Sequence, residues 1–187
     1  DRHGTFDAYI SAKKTIFEGK GGCAVIGVDD EVSQKLFSEL VEKNDRMVIP
    51  VSAERRVDNG VSVVDGILHD DINSQSEHVM NLQGIASLQG PHNWQNTAIA
   101  YAAGRAVGLS LPAFIGSVGT SPGLPHRMET IGTINGVTYI NDSKATNIAA
   151  AAKALSCFQK IYWIVGGQAK GTSTTELVPV LSGVVHA

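Results

Sequence analysis

Apolar residues recur at helical intervals over residues 6–17. Phe6, Tyr9, Ile10, Ile16 and Phe17 alternate with Asp7, Lys13, Lys14 and Glu18, so the pattern predicts an amphipathic helix. Residues 23–28 are a short apolar run that reads as a strand. Asp29 and Asp30 can cap a second helix, whose buried stripe is marked by Val32, Leu36, Leu40 and Val41. This strand and helix unit belongs to an α/β layer. Residues 47–51, 61–68 and 78–82 are rich in β-formers and separated by polar or glycine-containing turns, which predicts further short strands. Residues 93–107 return to a helical pattern, with Ala98, Ala102 and Ala106 allowing close packing.

Proline and glycine punctuate residues 111–125, predicting a short helix followed by a linker and a domain boundary near Pro122. Beyond it, residues 128–134 and 137–140 flank Asn135-Gly136, the dipeptide best suited to the positive backbone angles of a tight hairpin. Residues 145–155 have the alanine-rich composition of a helix, and residues 161–165 read as a continuous apolar strand running into Gly166-Gly167. The order strand, helix, strand, glycine loop predicts the start of a nucleotide-binding-like α/β domain. Residues 178–187 read as part of an element or its connection, without an obvious closing strand of a parallel sheet.

Composition narrows the function classes. The 187 residues are 43% hydrophobic and 18% charged, as expected of a globular protein of one or two domains. Fifteen Lys and Arg against 18 Asp and Glu give a net charge of -3 with no basic block, which argues against nucleic-acid binding. The longest uncharged stretch, residues 106–125, is interrupted by glycine and proline, so no membrane-spanning segment is expected. Cys23 and Cys157 belong to no metal or redox motif and read as free thiols in a reducing compartment, which favours the cytoplasm. The start at Asp1, with neither methionine nor a secretion signal, reads as a chain beginning inside a longer protein.

The richest polar cluster is Asn141-Asp142-Ser143-Lys144-Ala145-Thr146-Asn147, between the end of a strand and the start of a helix, where α/β proteins bind ligands. Asp142 suits ribose hydroxyls, Lys144 an anion, and Thr146 a carboxylate; N-capping by Asp142, Ser143 or Thr146 explains the same residues equally well. Arg127 follows the linker, where its fork can clamp a phosphate or simply stand in solvent. Asn93 and Asn96 share a helix face and match the donor and acceptor edge of a purine; the competing reading makes Asn93 a helix cap and leaves Asn96 in water.

The loop from Gly166 to Gly171 carries Lys170 among glycines and suits an anionic ligand, but it lacks the spacing and the Ser or Thr of a Walker loop. Lys13 reads as an ordinary solvated lysine. The six histidines show no metal-ligand spacing, His69-Asp70-Asp71 reads as a polar turn, and no nucleophilic Ser or Cys with a placed base is recognisable.

Taken in order, Asp1-Arg2-His3-Gly4, the segment from Tyr9 to Lys13, Gly90-Pro91-His92-Asn93-Trp94-Gln95-Asn96, Leu124-Pro125-His126-Arg127 and the 141–147 cluster resemble the Mur ligase family along essentially the whole chain. The string from Asp142 to Asn147 is most similar to the D-glutamate-adding branch. The resemblance implies residues 1–122 as the later part of a central ATPase domain and residues 123–187 as the first part of a Rossmann-like C-terminal domain. It implies an ATP-dependent amide ligase of peptidoglycan synthesis, using Mg2+, that joins D-glutamate to UDP-N-acetylmuramoyl-L-alanine through an acyl phosphate.

By matching position, Lys13 resembles a carbamylated, metal-binding lysine. Asn93 and Asn96 resemble adenine-contacting residues, and Arg127 and Asp142 nucleotide-contacting ones. Lys144, Thr146 and Lys170 resemble residues that hold D-glutamate or nearby anions. In the family the phosphate loop, acidic and histidine metal ligands and a uridine-nucleotide domain precede this stretch, and the rest of the third domain comes after it. These 187 residues alone are therefore expected not to catalyse ligation. The alternatives are a non-catalytic nucleotide-binding module, or a sister ligase acting on another muramyl peptide or on folate.

Overall fold

The computed structural model describes residues 3–19, 21–73, 77–167 and 174–187. A five-stranded sheet anchors the first part, in the order β1 (Cys23–Gly27), β2 (Met47–Ser52), β3 (Val61–Val64), β4 (Ile67–Asp70) and β5 (Glu77–Asn81). The first three strands are parallel and the last two join antiparallel. Side-chain alternation splits β1 and β2 between two cores. Ala24, Ile26 and Val28 pack under α2 (Glu31–Lys43) with Leu40, whereas Ile49 and Val51 face the core that contains Ala98, Tyr101 and Ala102 of α3 (Pro91–Ala106) and Phe114 of α4 (Leu111–Thr120). The sheet is thus sandwiched between helical layers, the α/β architecture expected from the sequence.

Residues 61–68 are not one strand. Asp65 and Gly66 both take positive φ, 50° and 74°, and turn β3 back into β4 as a two-residue hairpin. In consequence His69 and Asp70 are strand residues rather than a polar turn, and Asp70 is 2% exposed. Its carboxylate accepts hydrogen bonds from the Tyr101 hydroxyl (2.7 Å) and the Ile72 backbone N–H (2.9 Å) and pairs with Arg105, which ties β4 to α3. The connection from β2 to the parallel β3 needs no helix, because β3 overlaps only the last two residues of β2 and does not return along the sheet.

The first helix, α1 (Phe6–Lys14), continues as a 3-10 turn, Thr15–Phe17, and buries none of its residues; Phe6 and Ile16 are open to solvent. The Lys14–Glu39 ion pair, 2.5 Å, fastens it to α2. The predicted hairpin forms as β6 (Glu129–Ile134) and β7 (Val137–Asn141), with φ of 51° and 78° at Asn135 and Gly136. Helix α5 (Ile148–Leu155) starts three residues later than the alanine pattern suggests, because the Asn147 side chain caps it by accepting from the Ala150 N–H at 2.8 Å.

The apolar run at 161–165 also shortens. Only Ile161–Tyr162 forms a strand, β8, while Ile164 is almost fully exposed. After a 3-10 stretch, Thr174–Gly183, the chain supplies the parallel partner that the sequence did not announce: β9, Val184–His186.

Candidate functional site

Helix α3 begins at Gly90, whose φ of 91° puts it in the left-handed region, and Pro91 occupies the first turn. A side chain at position 90 would collide with Cys157 Sγ, so glycine also lets the end of α5 close onto the start of α3. Asn93 does not cap this helix. Its Nδ2 donates to the Gln89 carbonyl at 2.8 Å, while Oδ1 accepts no hydrogen bond among the described residues and Asn96 follows one turn on. The two amides open into a cavity of about 400 Å³ whose apolar walls include Leu88, Leu109, Phe114 and Val118. A pocket with apolar walls and a few amide donors and acceptors suits a flat heteroaromatic base.

A second group of predicted residues assembles on the loop after β7. Asp142 Oδ1 accepts from the Met128 N–H at 3.1 Å, and the Lys144 N–H donates to the His126 carbonyl at 3.0 Å. These bonds clasp the 126–128 turn from both sides and place Arg127, Asp142 and Lys144 on one rim. His126 and Met128 hold positive φ, 65° and 46°, as the turn requires. The side chains of Arg127, Lys144 and Thr146 are exposed and engaged in no hydrogen bond or ion pair among the described residues. None of Asp142, Ser143 or Thr146 caps α5, since Asn147 does, so the capping explanation of this cluster falls for those three.

His92 sits in the first turn of α3. It precedes Asn93, its ring lies over Gly90 beside Cys157, and it feels the charges of Lys153 and Asp142. Burial, then Lys153, lower the His92 pKa from its ordinary value, while Asp142 opposes them. The unfolded chain therefore takes up this proton first as pH falls. The His92 contribution to stability is present above about pH 6.5 and lost as pH drops through the folded-state value. Acidification from neutral pH is accordingly expected to lower the melting temperature of the protein more than that of His92→Gln. Equal losses in the two proteins would contradict it; His69, also lowered by burial, affects both alike.

Lys13 stands apart on α1. It is exposed, with Nζ 5.4 Å from the centre of the Tyr9 ring, and no hydrogen bond or ion pair joins it to the other candidates among the described residues. No group of three His, Cys, Asp or Glu able to hold a metal ion occurs among the described residues. Lys170 lies outside them.

Sequence reasoning overlooked Asp29 and Gln95. Asp29 does not cap α2, because Asp30 does so through Ser33. Instead it accepts from Ser52 Oγ (2.5 Å), the Ala53 N–H (2.8 Å) and Gln95 Nε2 (2.6 Å). The available signal was positional: a carboxylate at the end of a parallel strand, and a glutamine between two asparagines of interest.

No helix among the described residues is long and apolar enough to cross a membrane. The sequence profile of the Mur ligase middle domain matches residues 1–104. Curated relatives carry the name UDP-N-acetylmuramoylalanine--D-glutamate ligase. That of Caulobacter vibrioides is 44% identical over 189 aligned positions, covering 100% of this chain and 40% of the relative. That of Phenylobacterium zucineum is 46% identical with the same coverage, and that of Rickettsia bellii 36% identical over 190 positions, covering 42% of its length. The chain thus spans about two fifths of the length of the relatives it matches. With the profile running across the sheet and the amide-bearing helix α3, over more than half of its length, the chain belongs to the Mur ligase family.

Proposed function

We propose that this chain is part of an ATP-dependent ligase that joins D-glutamate to UDP-N-acetylmuramoyl-L-alanine in peptidoglycan synthesis, and that it supplies the seat for the nucleotide base. The observation that carries this reading is the cavity holding Asn93 and Asn96; the rim of Arg127, Asp142 and Lys144 supports it. The names of relatives more than 40% identical over the whole chain support the choice of D-glutamate.

A carboxylate resists attack by an amine. The reaction transfers the γ-phosphoryl of ATP to the alanyl carboxylate, and the D-glutamate amine then displaces phosphate from the acyl phosphate with loss of a proton. In this scheme the residues here bind and orient. Asn93 and Asn96 meet the purine edge, Asp142 the ribose, and Arg127 the phosphates through its fork. Lys144, Thr146 and Lys170 hold the carboxylates of D-glutamate and neighbouring anions, and positive charge near the transferring phosphoryl stabilises the transition state. The boundary near residue 122 separates the base-binding part from the amino-acid-binding part. Two free thiols and a nucleotide substrate support a cytoplasmic location.

The described residues do not form a magnesium site by themselves. Carbamylation of Lys13, in which its neutral amine adds carbon dioxide and loses a proton, would replace a cation with an anionic carbamate; the exposed side chain is accessible for it. Intact-mass analysis and electron density of the full-length protein with substrate should show the adduct on Lys13, and an unmodified, solvent-facing amine there would contradict it.

The 187 residues contain no Gly-x-x-x-x-Gly-Lys-Ser/Thr loop. On their own they are expected to release no phosphate and to bind ATP weakly, whereas the full-length protein forms product only with both ATP and D-glutamate. Turnover with a different amino acid alone would remove the D-glutamate assignment. Tight ATP binding by the isolated chain would favour a self-sufficient nucleotide module.

A further inference from the structure

We propose that Asp29 and Gln95 are positioning residues that set the nucleotide specificity of this ligase by fixing the rotation of α3, and with it the aim of Asn93 and Asn96. The inference rests on the reading of the Asn93–Asn96 cavity as the seat of the base. Successive residues of an α-helix are about 100° apart, so Gln95 points roughly opposite Asn93 and well away from Asn96. It leaves the cavity to its neighbours and reaches the other way, where Nε2 donates to Asp29 Oδ2 at 2.6 Å.

Asp29 is itself held at both ends. Oδ1 accepts from Ser52 Oγ, Oδ2 also accepts from the Ala53 N–H, and the same Ser52 hydroxyl receives the Glu54 and Arg55 N–H groups at 3.1 Å. The carboxylate thus gathers the ends of β1 and β2 and presents a fixed, charged acceptor to one helix side chain. Charge-assisted bonds of this kind are short and directional.

The Asp70 tie holds α3 farther along, at Tyr101 and Arg105, and three further features leave the rotation of the first turns to Gln95. Gly90, the N-cap, offers no side chain to the helix, so no side-chain cap registers the first turn. Gly27 sits directly beneath Gln95, and a Cβ there would come within 3.2 Å of Nε2, so the glycine leaves Gln95 just enough room to reach Asp29. Asn93 and Asn96 lie within two residues of Gln95, so a small rotation about this bond moves both amides across the edge of a base. Misplacement of about 1 Å is enough to degrade catalysis on the order of 100-fold.

The test uses the full-length ligase and compares kcat/KM for ATP with that for inosine triphosphate, which carries a carbonyl oxygen in place of the exocyclic amine. Gln95→Glu sets a second carboxylate against Asp29, and Gln95→Ala removes the tie without adding charge, which keeps the measurement readable if the first variant fails to fold. Asn96→Ala is the reference. All three variants are expected to lower the ATP preference at least fivefold, through KM for ATP, with KM for D-glutamate unchanged. A purely structural tie would instead reduce turnover of both nucleotides in equal proportion, and that result overturns the inference. If Asn96→Ala lowers the preference and the Gln95 variants keep the parental ratio, the positioning role fails while the base pocket stands. If Asn96→Ala also keeps it, the base pocket fails and the inference with it.

Discussion

Asp70→Ala is expected to destabilise the protein by about 2–4 kcal/mol, the cost of losing three hydrogen bonds to a charged acceptor, reduced because Arg105 is one-third exposed and stays solvated. Asp70 is 2% exposed and gathers the Tyr101 hydroxyl, Arg105 and the Ile72 N–H around a single carboxylate. Alanine would strand the Tyr101 phenol against the core of β3, β4 and α3, where Val61, Val63, Leu68 and Ala102 are fully buried, and would leave Arg105 to water. Tyr101→Phe, which removes only one donor to a charged acceptor, is expected to cost about 1.5–3 kcal/mol. Equilibrium urea unfolding separates the two, and the double variant Asp70→Ala/Tyr101→Phe should lose less than the sum of the singles because they share a partner. A loss below about 1 kcal/mol for Asp70→Ala would mean that the carboxylate is not the tie between sheet and helix.

Asn93→Ala and Asn96→Ala are each expected to lower kcat/KM for ATP in the full-length ligase by roughly 5- to 150-fold, because a polar base edge left unsatisfied in the pocket costs about 1–3 kcal/mol. Asn93→Ala falls toward the larger value, since it also releases the Gln89 carbonyl that the amide now holds at 2.8 Å. Both effects should appear in KM for ATP. Steady-state kinetics at saturating D-glutamate checks this, and unchanged ATP kinetics in both variants would empty the cavity of its assigned role.

Local chemistry made much of this molecule readable from its sequence. Asn135-Gly136 announces a hairpin because few other dipeptides tolerate two positive φ angles in succession, and the hairpin is there. Asp65-Gly66 carries the same signal, yet Val63-Val64 and Ile67-Leu68 on either side merge into one apolar run that hides it. What periodicity leaves out is partnership at long range. Nothing local at Asp70 reveals Tyr101 and Arg105, more than 30 residues away. Nor does anything local at Asp29 reveal Gln95, 66 positions on. Strand β8 is brief because its partner β9 supplies only three residues, a fact that no pattern within residues 161–165 contains.

The candidate site divides in the same way. Family resemblance picked out Asn93, Asn96, Arg127, Asp142 and Lys144, and the fold groups the first two in a cavity and the last three on one rim. Spacing alone explains Asp142 and Lys144 equally well without a ligand, and favours capping or solvation for Asn93, Asn96 and Arg127.

The most direct test is a crystal structure of the full-length protein with a non-hydrolysable ATP analogue. The adenine is expected between the apolar walls of the Leu88 and Phe114 cavity, within hydrogen-bonding distance of Asn93 and Asn96, with Arg127 and Asp142 touching the same nucleotide. A base bound on another face, with the two amides still open to water, would contradict the assignment.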